Sequence, residues 1–308
     1  HTCQAEDTNH MFGELHMSTG WRRFGRPSIG SWVLYGLGSE SENLPGFMVL
    51  RSGMHPRSKG ANFNNGFLPA TMQGTPLQSS GAPILDLETP AGFEGESQAS
   101  TVEAINRLNT LRQSETADPE IEARIASYEL AFRMQSSAPE LLDLGDETEE
   151  TLRMYGIDDP GKPSYARNCL LARRLIERGV RFIQVWSGKS QPWDNHDGLE
   201  KNHRKLAGEW DQPLAAFLSD LRQRGLLETT LVLWGGEFGR TPVAEYPKLD
   251  GRDHNHYGFT CWLAGGGARG GYVHGATDEF GFRAVEKPVS VHDLHATMLH
   301  MLGMNHEH

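Results

Sequence analysis

Acidic, basic and imidazole side chains follow directly on an apolar run near residue 230. The run Thr229–Trp234 is β-branched and apolar, as expected of a buried strand, and two glycines separate it from Glu237 and Arg240. Asp253 and His254 come next in the same loop. Carboxylate and imidazole together suit zinc or manganese, whereas an all-oxygen set suits calcium or magnesium. These residue types predict a divalent-cation site and leave the choice among these four ions open.

A second polar loop follows the preceding predicted strand, Val180–Trp186, and carries Asp194 and His196. Between the two strands, Lys201–Arg224 has the apolar spacing of a helix. Strand, helix and strand in that order predict a right-handed parallel crossover, with Leu231–Trp234 as the second strand. Because ligands bind beyond the carboxyl ends of parallel strands, we expect both loops to meet at one edge of the sheet.

Each of these side chains also has a simpler interpretation. A single histidine in a loop is more often solvated than metal-bound, and only the convergence of several ligands from two strand ends favours a metal. Arg240 suits a bidentate contact with an anionic oxygen of a substrate, or else an ion pair with Glu237 that fixes the loop. The sequence leaves both roles of Arg240 open.

The spacing of apolar residues predicts an α/β fold with a mostly parallel central sheet and helices on both faces. We expect one domain over residues 1–308, truncated at both ends because the chain opens on His1 rather than Met. The first hundred residues are rich in glycine, proline, serine and asparagine, which predicts that residues 1–160 are a loop-rich part with a helical insertion. Residues 161–308 are more regular, and Ser164–Gly179 predicts an amphipathic helix closed by its final glycine.

Composition and net charge argue against a membrane-spanning helix, a nucleic-acid partner and a disulfide framework. A hydrophobic content of 37% over 308 residues is enough for a core. No apolar run approaches the roughly 20 residues of a membrane-spanning helix. The net charge of −11 counts against nucleic acid, which needs an excess of Lys and Arg. Cys3, Cys169 and Cys261 are few and far apart, so no disulfide framework is expected. The oligomeric state stays open.

Five segments together resemble a known bacterial family of unestablished function, the DUF1501 family. They are "RPSIGSWVLYGLGSESENLPGFMVL", "WGGEFGRTP", "GRDHNHYGFTCWLAGGGARGG", "GATDEFG" and "DLHATMLHMLG". The resemblance runs from about Asn9 to the end of the chain. It implies a sulfatase-like fold of the alkaline phosphatase superfamily. It also implies export to the periplasm or cell surface, with a leader upstream of His1.

The resemblance to sulfatases also suggests which residues bind metal. Sulfatases carry a Cys or Ser nucleophile some ten residues before a Thr-Gly pair. Counting back from Thr19 and Gly20 reaches His10, which suits a metal ligand better than a nucleophile. The positions that look like the metal-binding residues of the superfamily are Asp194, His196, Glu237, Asp253 and His254.

The function predicted on these grounds is metal-dependent hydrolysis of a phosphate or sulfate ester, on a small molecule or a polysaccharide. A metal-bound water would be the nucleophile, with Glu237 and Arg240 as catalytic residues. The alternative is a non-catalytic, exported scaffold that binds metal or glycan, which the missing side-chain nucleophile favours. A third interpretation, a phosphomutase, needs an acceptor hydroxyl, for which Ser28 and Ser31 are candidates only by proximity.

Overall fold

The computed structural model describes residues 1–53, 56–77, 96–116, 119–187 and 191–307. Its helices are α1 (His10–Thr19), α2 (Ile29–Leu37), α3 (Glu96–Thr116), α4 (Pro119–Leu142), α5 (Glu149–Tyr155), α6 (Tyr165–Glu177), α7 (Leu199–Gln223) and α8 (Val291–Met301). Its strands are β1 (Cys3–Gln4), β2 (Phe47–Arg51), β3 (Thr75–Leu77), β4 (Phe182–Trp186), β5 (Val232–Trp234), β6 (Gly239–Arg240), β7 (His254–Asn255), β8 (Trp262–Ala264), β9 (Ala276–Thr277), β10 (Ala284–Glu286) and β11 (Val289–Ser290). Within these ranges, no helix is both long and apolar enough to cross a bilayer.

A three-stranded parallel sheet in the order β3-β2-β4 lies at the centre of the largest core. Successive side chains of a strand point to opposite faces, and β2 is buried on both. Met48 and Leu50 pack in one cluster with α4, α6 and α7. Phe47 and Val49 pack in another with Leu34 of α2. The chain therefore has a mixed α/β structure in which helices cover both faces of this small parallel sheet.

The predicted single central sheet is wrong in one respect. Strand β5 does not extend the β3-β2-β4 sheet but pairs antiparallel with β8. Trp234 lies opposite Trp262 in that pair, and the two indoles stack with ring centroids 6.0 Å apart. Cross-strand aromatic pairs of this kind contribute about 0.2–1 kcal/mol each, so this pair favours the antiparallel partner of β5.

The elements that flank the candidate site agree with the predictions. Helix α6 begins after Ser164, whose side chain caps the helix by accepting from the Arg167 N–H. It ends before Gly179, which has a left-handed φ of 76°. The predicted helix over Lys201–Arg224 is confirmed as α7, which contains Pro213 within its length.

A buried ionic network fixes α6 against α7. Arg173 of α6 is 3% exposed and contacts Glu147 and Glu177, each at 2.7 Å. Its Nε lies 3.0 Å from Asp220 of α7, which also accepts from the Tyr155 hydroxyl at 3.0 Å. One buried guanidinium therefore compensates carboxylates from three segments of the chain.

Replacing Arg173 by methionine is expected to lower the free energy of unfolding by about 3–5 kcal/mol, because buried carboxylates lose their counter-charge. The measurement is urea unfolding followed by circular dichroism. The control is Arg204→Ala, which removes an exposed pair with Glu200 on α7 and should change stability by less than about 1 kcal/mol. Equal effects of the two substitutions would contradict this account.

Candidate metal centre

The first residues of α1 bring an imidazole into the interior. Asn9 caps the helix by accepting from the Met11 N–H at 3.0 Å, so His10 is the first helical residue. His10 is 7% exposed. One turn later, Gly13 lets α1 approach the segment that follows β5, since a Cβ at this position would lie 3.1 Å from the side chains of Glu237 and Phe238.

A two-stranded ladder brings the next residues to the same place. Strands β6 and β7 pair antiparallel, with Arg240 opposite His254. The loop between them returns over the segment that carries Asp194 and His196. Gly251 makes this possible, because a Cβ there would lie 2.0 Å from the backbone carbon and oxygen of His196. A side chain at this position would therefore separate the two loops.

Asp194 lies at the centre of the cluster that these elements form. His10 Nε2 lies 3.0 Å from one carboxylate oxygen, Oδ2. His254 Nε2 lies 3.1 Å from the other, Oδ1. One potential ligand atom from each of His10, Asp194 and His254 lies within 4.8 Å of the other two. The three side chains thus present two nitrogens and a carboxylate to one small volume.

The outer nitrogens of both imidazoles are held by other groups. His10 Nδ1 lies 2.5 Å from Glu237 Oε1, and His254 Nδ1 lies 2.6 Å from the carbonyl oxygen of Thr8. A carbonyl only accepts, so His254 Nδ1 carries the proton and its Nε2 presents a lone pair when the ring is neutral. Metal-binding histidines in proteins are commonly oriented by acceptors at the other ring nitrogen.

The charge of Asp194 also suits a cation. Burial opposes its ionisation, but the hydrogen bond and the positive charge of Arg240 outweigh burial and hold the pKa of Asp194 well below its ordinary value. Arg240 NH1 donates to Asp194 Oδ1 at 2.7 Å. In contrast, the buried His10 Nε2 makes no hydrogen bond of good geometry within the described residues, although Asp194 Oδ2 is close. Two imidazoles and an ionised carboxylate fit zinc or manganese better than calcium or magnesium.

A second group of potential ligands adjoins the first. His196 Nε2 lies 3.0 Å from Asp194 Oδ1 and 3.1 Å from His254 Nε2. On its other side, His196 Nδ1 lies 3.2 Å from Glu245 Oε2. His196, Glu245 and Asp253 together offer ligand atoms within 4.8 Å of one another. The two groups share the carboxylate of Asp194 as a neighbour, and together they offer ligand atoms for one ion or two.

The structure brings all the site residues named from the sequence into one region. They divide into two groups of potential ligands and two residues that contact the inner group. His10, Asp194 and His254 form the inner group, while His196 and Asp253 belong to the adjoining one. Glu237 contacts the outer nitrogen of His10, and Arg240 contacts Asp194 rather than forming the ion pair with Glu237 considered above.

Two further residues contact the site that the sequence analysis did not name, Thr8 and Glu245, and a third, Glu14, lies near it. Thr8 acts through its backbone carbonyl, which no side-chain pattern reveals. Glu245 follows Arg240 in the segment between β6 and β7, so its place in the chain could have indicated a position near the site. Glu14 lies one helical turn after His10, and burial raises the pKa of its carboxyl while Ser58 N–H donates to it at 3.0 Å. The i,i+4 spacing of His10 and Glu14 could have indicated this, because residues four apart lie on the same face of a helix.

The serines considered for a phosphomutase have a structural role instead. Ser28 and Ser31 are both 0% exposed. Their hydroxyls lie 2.9 Å apart, and Ser28 caps α2 by accepting from the Ser31 N–H. Ser31 also donates to the Asn64 carbonyl. Neither hydroxyl is accessible to a substrate, so the phosphomutase interpretation loses its acceptor.

Comparison with known proteins agrees with the family that the motifs indicate. No curated protein and no solved structure matches the chain. The family described as "Protein of unknown function (DUF1501)" matches over residues 1–308. With the whole length covered, the chain belongs to the DUF1501 family.

Proposed function

We propose that the protein is a metal-dependent hydrolase of phosphate or sulfate esters, acting on a small molecule or a polysaccharide. The observation that carries the proposal is the inner group itself. His10 and His254 direct their inner nitrogens at an ionised Asp194, while Glu237 and the Thr8 carbonyl hold the outer nitrogens. This is the arrangement that orients histidines for a metal ion.

The residues of the inner group would hold the ion, and the neighbouring residues would act on the substrate. A divalent ion in such a site lowers the pKa of coordinated water to about 7, which supplies hydroxide near neutral pH. Arg240 donates through NH1 to Asp194, and its guanidinium has further N–H groups for the anionic oxygens of an ester. Glu237 keeps the His10 ring oriented through Nδ1.

The resemblance of the motifs to those of sulfatases supports an anionic ester as the substrate class. The mixed α/β structure is compatible with a sulfatase-like fold, but the described part of its parallel sheet has three strands. We therefore infer the ester class from Arg240 and from the order of the metal-binding motifs rather than from the fold. Export remains part of the proposal on the same resemblance.

A second candidate function is a non-catalytic, exported scaffold that binds metal or glycan. It is favoured by the residue at the nucleophile position of the sulfatase comparison, which is His10 rather than Ser, Thr or Cys. His10 is already held by Glu237 and faces Asp194. A scaffold would bind the ion as tightly as an enzyme but would turn nothing over.

Removing metal from the purified protein tests the proposal directly. Dialysis against a chelator is expected to abolish hydrolysis of 4-nitrophenyl phosphate or 4-nitrophenyl sulfate, and zinc or manganese should restore it. Metal content is measured by mass spectrometry, and circular dichroism checks that the fold is retained. Protein that binds metal but hydrolyses neither ester would support the scaffold. Folded protein that binds none would contradict the hydrolase and the metal-binding scaffold, and would leave only a scaffold that binds glycan.

A further inference from the structure

A separate cluster of imidazoles lies between the two ends of the chain. His16 belongs to α1, His292 to the first turn of α8, and Glu6 to the segment after β1. One ligand atom from each of these side chains lies within 4.8 Å of the other two. His16 follows His10 by six residues, which places it about 120° around the helix and about 9 Å along its axis. The cluster is therefore distinct from the inner group around Asp194.

His16 is the unusual member of this cluster. It is 2% exposed, and neither of its ring nitrogens has a hydrogen-bond partner within the described residues. Burial lowers the pKa of His16, so near neutral pH its ring is uncharged and presents a lone pair. Buried polar groups in proteins are almost always paired, and an unpaired imidazole at the edge of a ligand cluster indicates a missing partner.

The neighbouring contacts hold the other imidazoles in place. His292 Nε2 donates to the Gly20 carbonyl at 2.8 Å, and His295 Nε2 donates to the Met17 carbonyl at 2.9 Å. Both carbonyls belong to the C-terminal end of α1, so α8 is held against this end. The His16 and His292 rings lie with centroids 5.6 Å apart at an interplanar angle of 64°. The two imidazoles are thus ordered before any ligand binds.

Glu6 is the third potential ligand of this cluster, and its carboxylate is free to turn toward an ion. Its Oε2 contacts Arg22 Nε at 3.2 Å, but both side chains are about half exposed, at 55% and 48%. Such surface ion pairs contribute little to stability, so the Glu6 carboxylate can leave Arg22 for a cation at low cost. Two imidazoles and one carboxylate are the donors of three-residue zinc sites, which leave a further position for water.

We propose that His16, His292 and Glu6 form a second divalent-cation site, selective for zinc or a similar borderline ion. The site joins the segment after β1, the end of α1 and the start of α8. Its role is to link the first twenty residues to the C-terminal helix, independently of any hydrolysis at the Asp194 centre.

The test counts zinc ions bound to the full-length chain, by mass spectrometry after zinc loading and dialysis. His292→Ala is the main variant, because His292 is exposed and its loss should not prevent folding. We expect it to bind one ion fewer than the wild type, with Glu6→Gln binding more weakly at the same site. His300→Ala, an exposed histidine on the same helix, is the matched control and should bind as the wild type does.

The same count in Asp194→Asn separates this site from the proposed catalytic one. We expect that variant to keep one ion, and zinc should still raise its unfolding temperature. An Asp194→Asn protein that binds no zinc, or a His292→Ala protein with the wild-type count, would overturn the second site. An ion that survives in Asp194→Asn and is lost only when His292→Ala is added supports it, whether or not the protein is a hydrolase.

Discussion

Replacing Asp194 by asparagine is expected to remove the ion of the inner group and with it all measurable ester hydrolysis. Both carboxylate oxygens face imidazole nitrogens, Oδ2 that of His10 and Oδ1 that of His254. The amide removes the negative charge that balances a cation at this point. Loss of an outer-sphere partner alone costs about 10- to 100-fold in metal affinity, and the loss of a central carboxylate should cost more. Calorimetric titration with zinc measures the affinity, and an aryl ester assay measures turnover.

Asp197→Asn is the matched control for this substitution. Asp197 lies three residues further along the same loop, but its carboxylate is exposed and contacts Lys248 Nζ at 2.6 Å. The change removes one exposed ion pair and leaves the ligands in place. Metal affinity and turnover should therefore equal those of the wild type. If Asp194→Asn also retained both properties, the inner group would not be a metal site.

Replacing Arg240 by alanine is expected to lower kcat by about 100- to 1000-fold while metal remains bound. Removing one hydrogen-bond donor to the negative charge that develops in a transition state typically lowers kcat by this factor. Arg240 contacts Asp194 Oδ1 at 2.7 Å, and its guanidinium lies 5.9 Å from the ring centroid of Phe238. Both contacts fix the guanidinium at the edge of the inner group. The measurements are kcat for an aryl ester and the zinc content of the same preparation.

The result for Arg240→Ala also decides whether Arg240 acts on the substrate or on Asp194. Arg204→Ala, an exposed arginine on α7, is the control and should leave both measurements unchanged. Loss of metal together with turnover would mean that Arg240 serves Asp194 rather than the substrate. Retained turnover would remove Arg240 from the mechanism.

Much of the candidate site follows from local sequence, because polar residues after apolar runs indicate strand ends. Asp194 and His254 lie 60 residues apart in the chain, and they meet at 3.1 Å, as we expected from the two predicted strand ends. The expected cause was wrong, because β4 and β5 belong to different sheets and share no parallel edge. The ladder of β6 and β7, rather than a shared parallel sheet, carries His254 to Asp194.

Other features could not be predicted from the sequence because they depend on tertiary packing. The carbonyl of Thr8 and the close approach at Gly251 involve backbone atoms, for which residue type gives no signal. The pairing of β5 with β8 depends on Trp234 meeting Trp262 across the strands. In the same way, the sequence assigned no metal role to His16, which among the described histidines is distinguished by having both ring nitrogens buried without a hydrogen-bond partner.

The contact between Thr8 and His254 joins residues 246 positions apart, and that between His10 and Glu237 joins residues 227 apart. Loops of this length close only at an entropic cost, so the amino-terminal helix is expected to dock late in folding. An ion that binds only the docked form adds about 2.7 kcal/mol at 100 times its Kd. Scarcity of that ion would leave more molecules with an undocked amino terminus, and proteases would cut those molecules first. If the proposed ion binds, limited proteolysis of the metal-depleted protein should therefore begin in its first twenty residues.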